Sequence, residues 1–170
     1  MKLNKIFFSP TNTTKKILDG ITKGISVTSV KNYNLSSEEI QSISINSGLS
    51  LIGIPVYNGN LHEEAVKQLN KFNAEKQLCV VVITYGDEHY ENLLDELKEL
   101  VKDRGFIPVA AAAFLGKAKF TDINDPVPVD VPDKADIDAC LKFGHKINEK
   151  LLSVEKIIDD VLNTTEMENS

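Results

Sequence analysis

The chain has 170 residues, 42% of them hydrophobic and 26% charged, which is enough for one globular domain with a sizeable core. A formal net charge of −6 argues against nucleic acid, whose phosphates would repel the protein, and favours basic protein partners. Cys79 and Cys140 stand far apart in apolar surroundings, the pattern of buried free thiols. The start, MKLNKIFF, has no long apolar segment and no small-residue cleavage site, so no signal peptide, no membrane span and a cytoplasmic location are expected.

In chain order, the first strand-length apolar run is KIFF at 5–8. Residues 13–24 follow as a helix, with Ile17, Leu18 and Ile21 on one face and Gly24 as its stop. ISVTSV at 25–30 is the second run; 35–46 begins like a capped helix and then loses its period. LSLIGIPV at 49–56 is the third run, followed by a helix over 61–73 with Ala65, Val66, Leu69 and Phe72 on one side. LCVVVIT at 78–84 precedes a helix over 88–103 carrying Tyr90, Leu93, Leu94, Leu97, Leu100 and Val101. GFIPVAAAAFL at 105–115 is the fifth run. A stiff connection over 116–132 contains Pro126, Pro128 and Pro132, and Phe120 as a candidate aromatic cover for a site, with an inert surface wrap as the equal alternative.

The last helix aligns Ile137, Cys140, Leu141, Gly144, Ile147 and Leu151. Its stripe then runs on through Val154, Ile157, Ile158, Val161 and Leu162, beyond what one sheet edge needs. We therefore divide the chain into a domain at 1–152 and a helical extension at 153–170, with disorder expected after Asn163. The surplus stripe predicts a partner surface, a homodimer contact or a docking site, unless the helix bends back on its own domain.

Alternation of strand and helix predicts an α/β fold with a parallel sheet and helices on both faces. The last three runs lack clean apolar–polar alternation, as strands covered on both faces do. Right-handed crossovers and five strands favour the order 2-1-3-4-5, with ligands bound beyond the carboxyl ends of the strands where the order reverses.

Three loops reach that edge. In Ser9-Pro10-Thr11-Asn12-Thr13-Thr14, hydroxyls and backbone N–H groups meet at a strand–helix junction, which suits a phosphate. Asn12 is the residue there best able to take a left-handed turn; Lys15 and Lys16 face either the anion or solvent. The Walker pattern is absent. The second loop is Pro55-Val56-Tyr57-Asn58-Gly59 and the third is Thr84-Tyr85-Gly86-Asp87 with Tyr90. Each pairs a tyrosine with a glycine, which suits a slot for a planar ring.

The stretches FFSPTNTTKKI, GIPVYNGN, VVVITYGDEHYENLLDEL and GFIPVAAAAFLG together resemble the flavodoxin family, whose phosphate loop reads [ST]-x-T-G-x-T. Over about residues 3 to 150 the chain looks most like the flavodoxin half of bacterial ferredoxin–flavodoxin fusion proteins. The resemblance implies a flavodoxin-like three-layer sandwich and non-covalent FMN. It implies that Ser9, Thr11, Asn12, Thr13 and Thr14 hold the phosphate. Pro55, Val56, Tyr57, Asn58 and Gly59 would then lie under the isoalloxazine ring, and Thr84, Tyr85, Gly86, Asp87 and Tyr90 at its other side and edge. A backbone group near Asn58 or Gly59 would partner flavin N5.

Two features depart from the pattern. Asn12 replaces the usual glycine, and with two cysteines the chain cannot hold the fusion proteins' iron–sulfur cluster. The implied role is electron transfer with a redox partner protein, ferredoxin-like or a reductase. The alternatives are an FMN-dependent NAD(P)H oxidoreductase acting on a quinone or similar acceptor, and a binding module that has lost FMN. Asp87, Glu88, Glu91, Asp95 and Glu96 either depress the flavin potential or form a solvated helix face. His62 and His89 are at most proton carriers at the ring edge and more ordinarily solvated; His145 is structural.

Overall fold

The computed structural model describes residues 1–36, 40–86, 90–115 and 133–168, with 164–168 given by backbone alone. The main strands are β1 (Lys2–Phe7), β2 (Ser29–Asn34), β4 (Leu49–Tyr57), β7 (Gln77–Tyr85) and β8 (Phe106–Leu115). They lie in the order β2-β1-β4-β7-β8, every neighbouring pair parallel. Counting these five alone, that is the expected 2-1-3-4-5. Short strands complete the set: β3 (Ile43–Ile45) pairs with β6 (Phe72–Ala74), and β5 (Asn60–Leu61) folds back antiparallel on β4. The helices are α1 (Thr13–Thr22), α2 (Glu63–Leu69), α3 (Glu91–Asp103) and α4 (Lys134–Glu168).

Successive side chains of a strand point to opposite faces, so the sheet builds two cores. Ile6, Ile52, Ile54, Val81 and Ile83 meet Ala65 and Leu69 of α2 and Leu93, Leu97 and Val101 of α3. On the other face Leu3, Phe7, Leu51, Val80 and Val82 meet Ile17, Leu18 and Ile21 of α1 and Cys140, Ile147 and Leu151 of α4. Coverage of both faces is why the central strands read as continuous apolar runs.

α1 and α4 meet almost backbone to backbone. A β-carbon on Gly144 would sit 2.1 Å from the Ile21 carbonyl oxygen, and one on Gly24 would sit 2.5 Å from that of Leu141. One on Gly20 would lie 3.0 Å from Cys140 Cβ. Gly24 thus serves the packing as well as marking a stop.

Several boundaries differ from the sequence reading. The second strand is 29–34, displaced from 25–30. It is a sheet edge with mostly exposed residues, so apolarity pointed instead to Ile25, which is buried in the loop after α1. The helix expected over 61–73 is confined to 63–69, because Leu61 pairs with Val56 and Phe72 joins β6. Within 35–46, Ile43–Ile45 form the short strand β3; 37–39 lies outside the described residues. The helix read from 88 starts at Glu91, behind Tyr90 as its N-cap; 87–89 also lies outside. In β8 a bulge sets Cys79 opposite Pro108 but Val80 opposite Ala110, where proline has no N–H for the ladder. α4 remains helical to Glu168, past Asn163.

Candidate functional site

β1 and β4 are neighbours, with β2 on the far side of β1, so the sheet order reverses between them. Beyond their carboxyl ends lies the loop 8–12. Its shape comes from one turn: the Asn12 N–H donates to the Ser9 carbonyl at 3.1 Å, and Asn12 takes φ 66°, the left-handed conformation expected of it. Asn12 then caps α1 through its own carbonyl, which accepts the Lys16 N–H at 3.0 Å. Its side chain makes no capping bond. Ser9, buried, accepts the Lys15 N–H through Oγ at 3.0 Å. Thr13 and Thr14 open the helix, and no helical residue precedes them to accept their N–H groups. The Thr11 and Thr13 hydroxyls lie 3.4 Å apart near the surface.

Thr14 behaves differently. Its hydroxyl is buried and meets Thr84 Oγ1, from the end of β7, at 2.9 Å. This bond ties the first loop to the third across β4. Gly53 of β4 makes room for the crossing: a β-carbon there would lie 2.9 Å from both Thr14 Cγ2 and Leu18 Cδ1.

Lys15, partly exposed, turns back along its own helix. It donates to Asp19 Oδ2 at 2.8 Å, while Lys5, buried on β1, donates to Oδ1 of the same carboxylate. Burial pushes Asp19 up, but the two ammonium groups outweigh it and hold the carboxyl below its ordinary value. Lys16 is exposed. The sequence reading missed this triad; its signal was a lysine inside the apolar run that forms β1.

The second loop is a two-residue hairpin. Val56 pairs with Leu61 and Tyr57 with Asn60, leaving Asn58 (φ 52°) and Gly59 (φ 76°) at the turn. Positive φ at both central residues is what such a turn demands and what Asn-Gly supplies. The glycine answers to this backbone requirement, since a β-carbon on it would meet nothing within 4 Å. Pro55 is half-buried and Val56 buried, whereas Tyr57 is 64% exposed. His62, just after the hairpin, lies with its ring 4.3 Å from that of Phe8 and 5.7 Å from that of Tyr57, its Nδ1 buried with no hydrogen-bond partner.

In the third loop Thr84 is buried, and Tyr85 and Gly86 are half-buried. The Tyr85 ring stacks on Tyr90 at 4.3 Å, tilted by 31°. Burial first, and then the adjoining Tyr90 phenol, raise the Tyr85 hydroxyl above its ordinary pKa. Asp87, Glu88, His89 and the whole connection 116–132 with Phe120 lie outside the described residues. Farther along α3, Lys98 pairs with Asp95 at 3.5 Å and Lys102 with Glu99 at 3.0 Å, as on a solvated helix face.

The structure thus brings Ser9, Thr11, Asn12, Thr13 and Thr14 together with Thr84 around one junction, and sets Tyr57 and the Tyr85–Tyr90 pair on the same edge of the sheet. The cysteines take no part: both are buried free thiols, pushed up to about 12 by burial. Among the described residues no group of three His, Cys, Asp or Glu side chains is placed to hold a metal, and no helix is long and apolar enough to cross a membrane.

No family model matches the sequence, and no curated protein matches it. Solved structures do match the fold. A flavodoxin from Streptococcus pneumoniae TIGR4 aligns over 88% of this chain and 99% of its own, with 14% identity and a TM-score of 0.58. Flavodoxin 1 from Bacillus cereus aligns over 85% and 95%, with 16% identity and a TM-score of 0.55. The fold is flavodoxin-like. The flavodiiron protein from Giardia intestinalis aligns over 89% of this chain at 8% identity and a TM-score of 0.58. There the match spans 36% of the longer protein, so the flavodoxin-like unit corresponds to one part of that molecule.

Proposed function

We propose that this chain is an FMN-binding, flavodoxin-like electron-transfer protein, related in pattern to the flavodoxin half of ferredoxin–flavodoxin fusions and working in the cytoplasm. The observation that carries it is the loop 9–14: a left-handed Asn12 turns the chain so that the N-terminus of α1 faces the switch point of a flavodoxin-like sheet. This loop fits a phosphate. The N–H groups of Thr13 and Thr14 and the hydroxyls of Thr11 and Thr13 are the donors for it, and the dipole of α1 adds to the attraction. Ser9 shapes the turn from below.

Tyr57 offers an exposed aromatic face beside the loop, suited to the flavin ring. Val56, Pro55, Asn58 and Gly59 supply backbone at its edge. Gly86, Tyr85 and Tyr90 border the other side, Thr84 anchors that border through Thr14, and Asp87 follows Gly86 in sequence. FMN, when bound, supplies the hydride and single-electron chemistry; the chain holds it, orients it and sets the polarity around it. These 170 residues carry no iron–sulfur motif, and the electrons would pass to and from a redox protein, ferredoxin-like or a reductase. A net charge of −6 favours a partner with a basic docking face. A second copy, met through α4, is a further partner.

A second reading, a binding module without flavin, draws on one observation: Ser9 Oγ already takes the Lys15 N–H, and the Thr14 hydroxyl is satisfied by Thr84. Titration with FMN, followed by flavin fluorescence, separates the two. Tight binding that Thr13→Val weakens supports the flavin site; no binding supports the module. If FMN binds, steady NADH or NADPH oxidation by the isolated protein with a quinone would shift the assignment from carrier to reductase.

A further inference from the structure

His62 follows the hairpin and is held through both of its backbone groups. Its N–H donates to the Pro55 carbonyl at 3.0 Å, and its own carbonyl accepts the Val66 N–H at 3.0 Å as α2 begins. The residue before it, Leu61, is buried and paired with Val56. The half-buried imidazole therefore starts from a fixed point, and it lies against two other rings. The ring of Phe8, buried directly after β1, is 4.3 Å away and tilted by 36°. The ring of Tyr57 is 5.7 Å away and tilted by 44°. Both pairs are close enough for ring–ring attraction.

The imidazole Nδ1 is buried and has no hydrogen-bond partner among the described residues. A buried polar atom left so lowers stability, and a benzene ring in the same place would leave none. Contacts of the ring, and no bond at that nitrogen, thus place His62. The sequence offered it a proton-carrying role at the flavin edge or a place in solvent. A ring with a sealed Nδ1, stacked on a buried phenylalanine, suits neither.

Tyr57 is the residue that gains. It is largely exposed, and among the described residues it meets no other ring. An exposed tyrosine with nothing behind it samples several rotamers. That freedom is lost when a planar ligand settles on the ring, which weakens binding.

We propose that His62 is a positioning residue: ring contact running from Phe8 through His62 selects one rotamer of Tyr57, the one that a flavin ring meets. The proposal rests on the reading of Tyr57 as a face for the flavin. It joins the second loop to the root of the first, because Ser9 follows Phe8. The Thr14–Thr84 bond joins the third loop to the first. The first loop is then the common anchor for both sides of the slot.

Three variants of the full chain separate the ring from its nitrogens. His62→Ala removes the ring, His62→Gln keeps a polar side chain without a ring, and His62→Phe keeps a ring without nitrogen. One readout is the nuclear Overhauser contact between the side chains of residues 57 and 62 in the flavin-free protein, with the Tyr57 rotamer. The other is FMN titration followed by flavin fluorescence. The wild type should show the contact and a single Tyr57 rotamer. His62→Ala and His62→Gln should release Tyr57 and weaken FMN about tenfold, the scale of one aromatic pair and one ordered side chain. His62→Phe should restore both the rotamer and the affinity, and raise the denaturant midpoint by removing the unpartnered nitrogen. A Tyr57 that rotates freely in the wild type overturns the proposal, whether or not FMN binds. So does FMN affinity unchanged in His62→Ala, wild-type behaviour in His62→Gln, or failure of His62→Phe to restore the rotamer. An ordered Tyr57 that His62→Ala releases, in a protein that ignores FMN, upholds the positioning and removes the flavin reading alone.

Discussion

The two halves of α4 carry the same apolar period and meet opposite fates. From Ile137 to Leu151 the stripe is pressed against α1 so closely that Gly24 and Gly144 leave no room for a β-carbon. From Leu152 to Leu162 an equally apolar stripe stands in solvent. The difference lies in what the chain brings opposite the helix. α1 supplies small residues, glycine facing cysteine and glycine, where α4 crosses it. Beyond the sheet the described part of the domain offers a cavity of about 300 Å³, bordered by Met1, Leu49 and Leu78. A helical period therefore identifies a face that needs covering; the cover itself comes from elsewhere in the fold, or from another molecule.

The sharpest way to break this contrast is to crowd the packed half. Gly144→Val drives a branched side chain into the Ile21 carbonyl, and should cost about 3 kcal/mol or more, read as a lowered denaturant midpoint. Next comes Asp19→Asn, on the α1 side of the same packed half. It leaves Lys5 buried with a neutral partner and should cost on the order of 1–3 kcal/mol, discounted from a fully buried pair because Asp19 is about a third exposed.

The same pair sets a pH dependence. The Asp19 carboxyl has its folded pKa held below the unfolded value, so its contribution is fully present above ~4 and is lost as pH falls through the folded value. Denaturation measured at a series of acidic pH values should show this loss in the wild type and a shallower one in Asp19→Asn.

Thr84→Val is a smaller intervention. It keeps the side chain's shape and strands the buried Thr14 hydroxyl, for about 1–2 kcal/mol, and it should also weaken FMN by loosening the first loop. The weakest effect belongs to the exposed half. Leu152→Ser in dilute protein should change stability by no more than ~0.5 kcal/mol, although Leu152 is as apolar as the residues of the packed half. A large loss from Leu152→Ser would mean that the extension folds back on its own domain.

The shape of the first loop could be read before the fold. The run of Ser9, Thr11, Thr13 and Thr14 marked a polar strand–helix junction, and Asn12 was the one residue in it suited to a left-handed turn, which it makes. The Asn58-Gly59 pair carried a hairpin signal of its own, but it was read as room for a ligand because the two strand residues beyond it, Asn60 and Leu61, are too short a run to show a period. The Thr14–Thr84 bond and the Lys5–Asp19–Lys15 triad were not legible. The first joins residues 70 positions apart, and the second depends on which face of β1 the helix α1 covers.

Sequence alone determined the class of the fold, because apolar runs covered on both faces and alternating with amphipathic helices have few solutions other than a wound parallel sheet. It determined where the polar loop falls and that the cysteines are buried, since both follow from local composition. It did not determine the edges: β2 slid by four residues because an edge strand is held by its ladder to β1 and carries little apolar signal. Tertiary structure alone decided that Lys5 of β1 reaches Asp19, that Thr14 meets Thr84, and that half of α4 is left uncovered. Each of these depends on which distant residue arrives opposite, and local pattern carries no record of that.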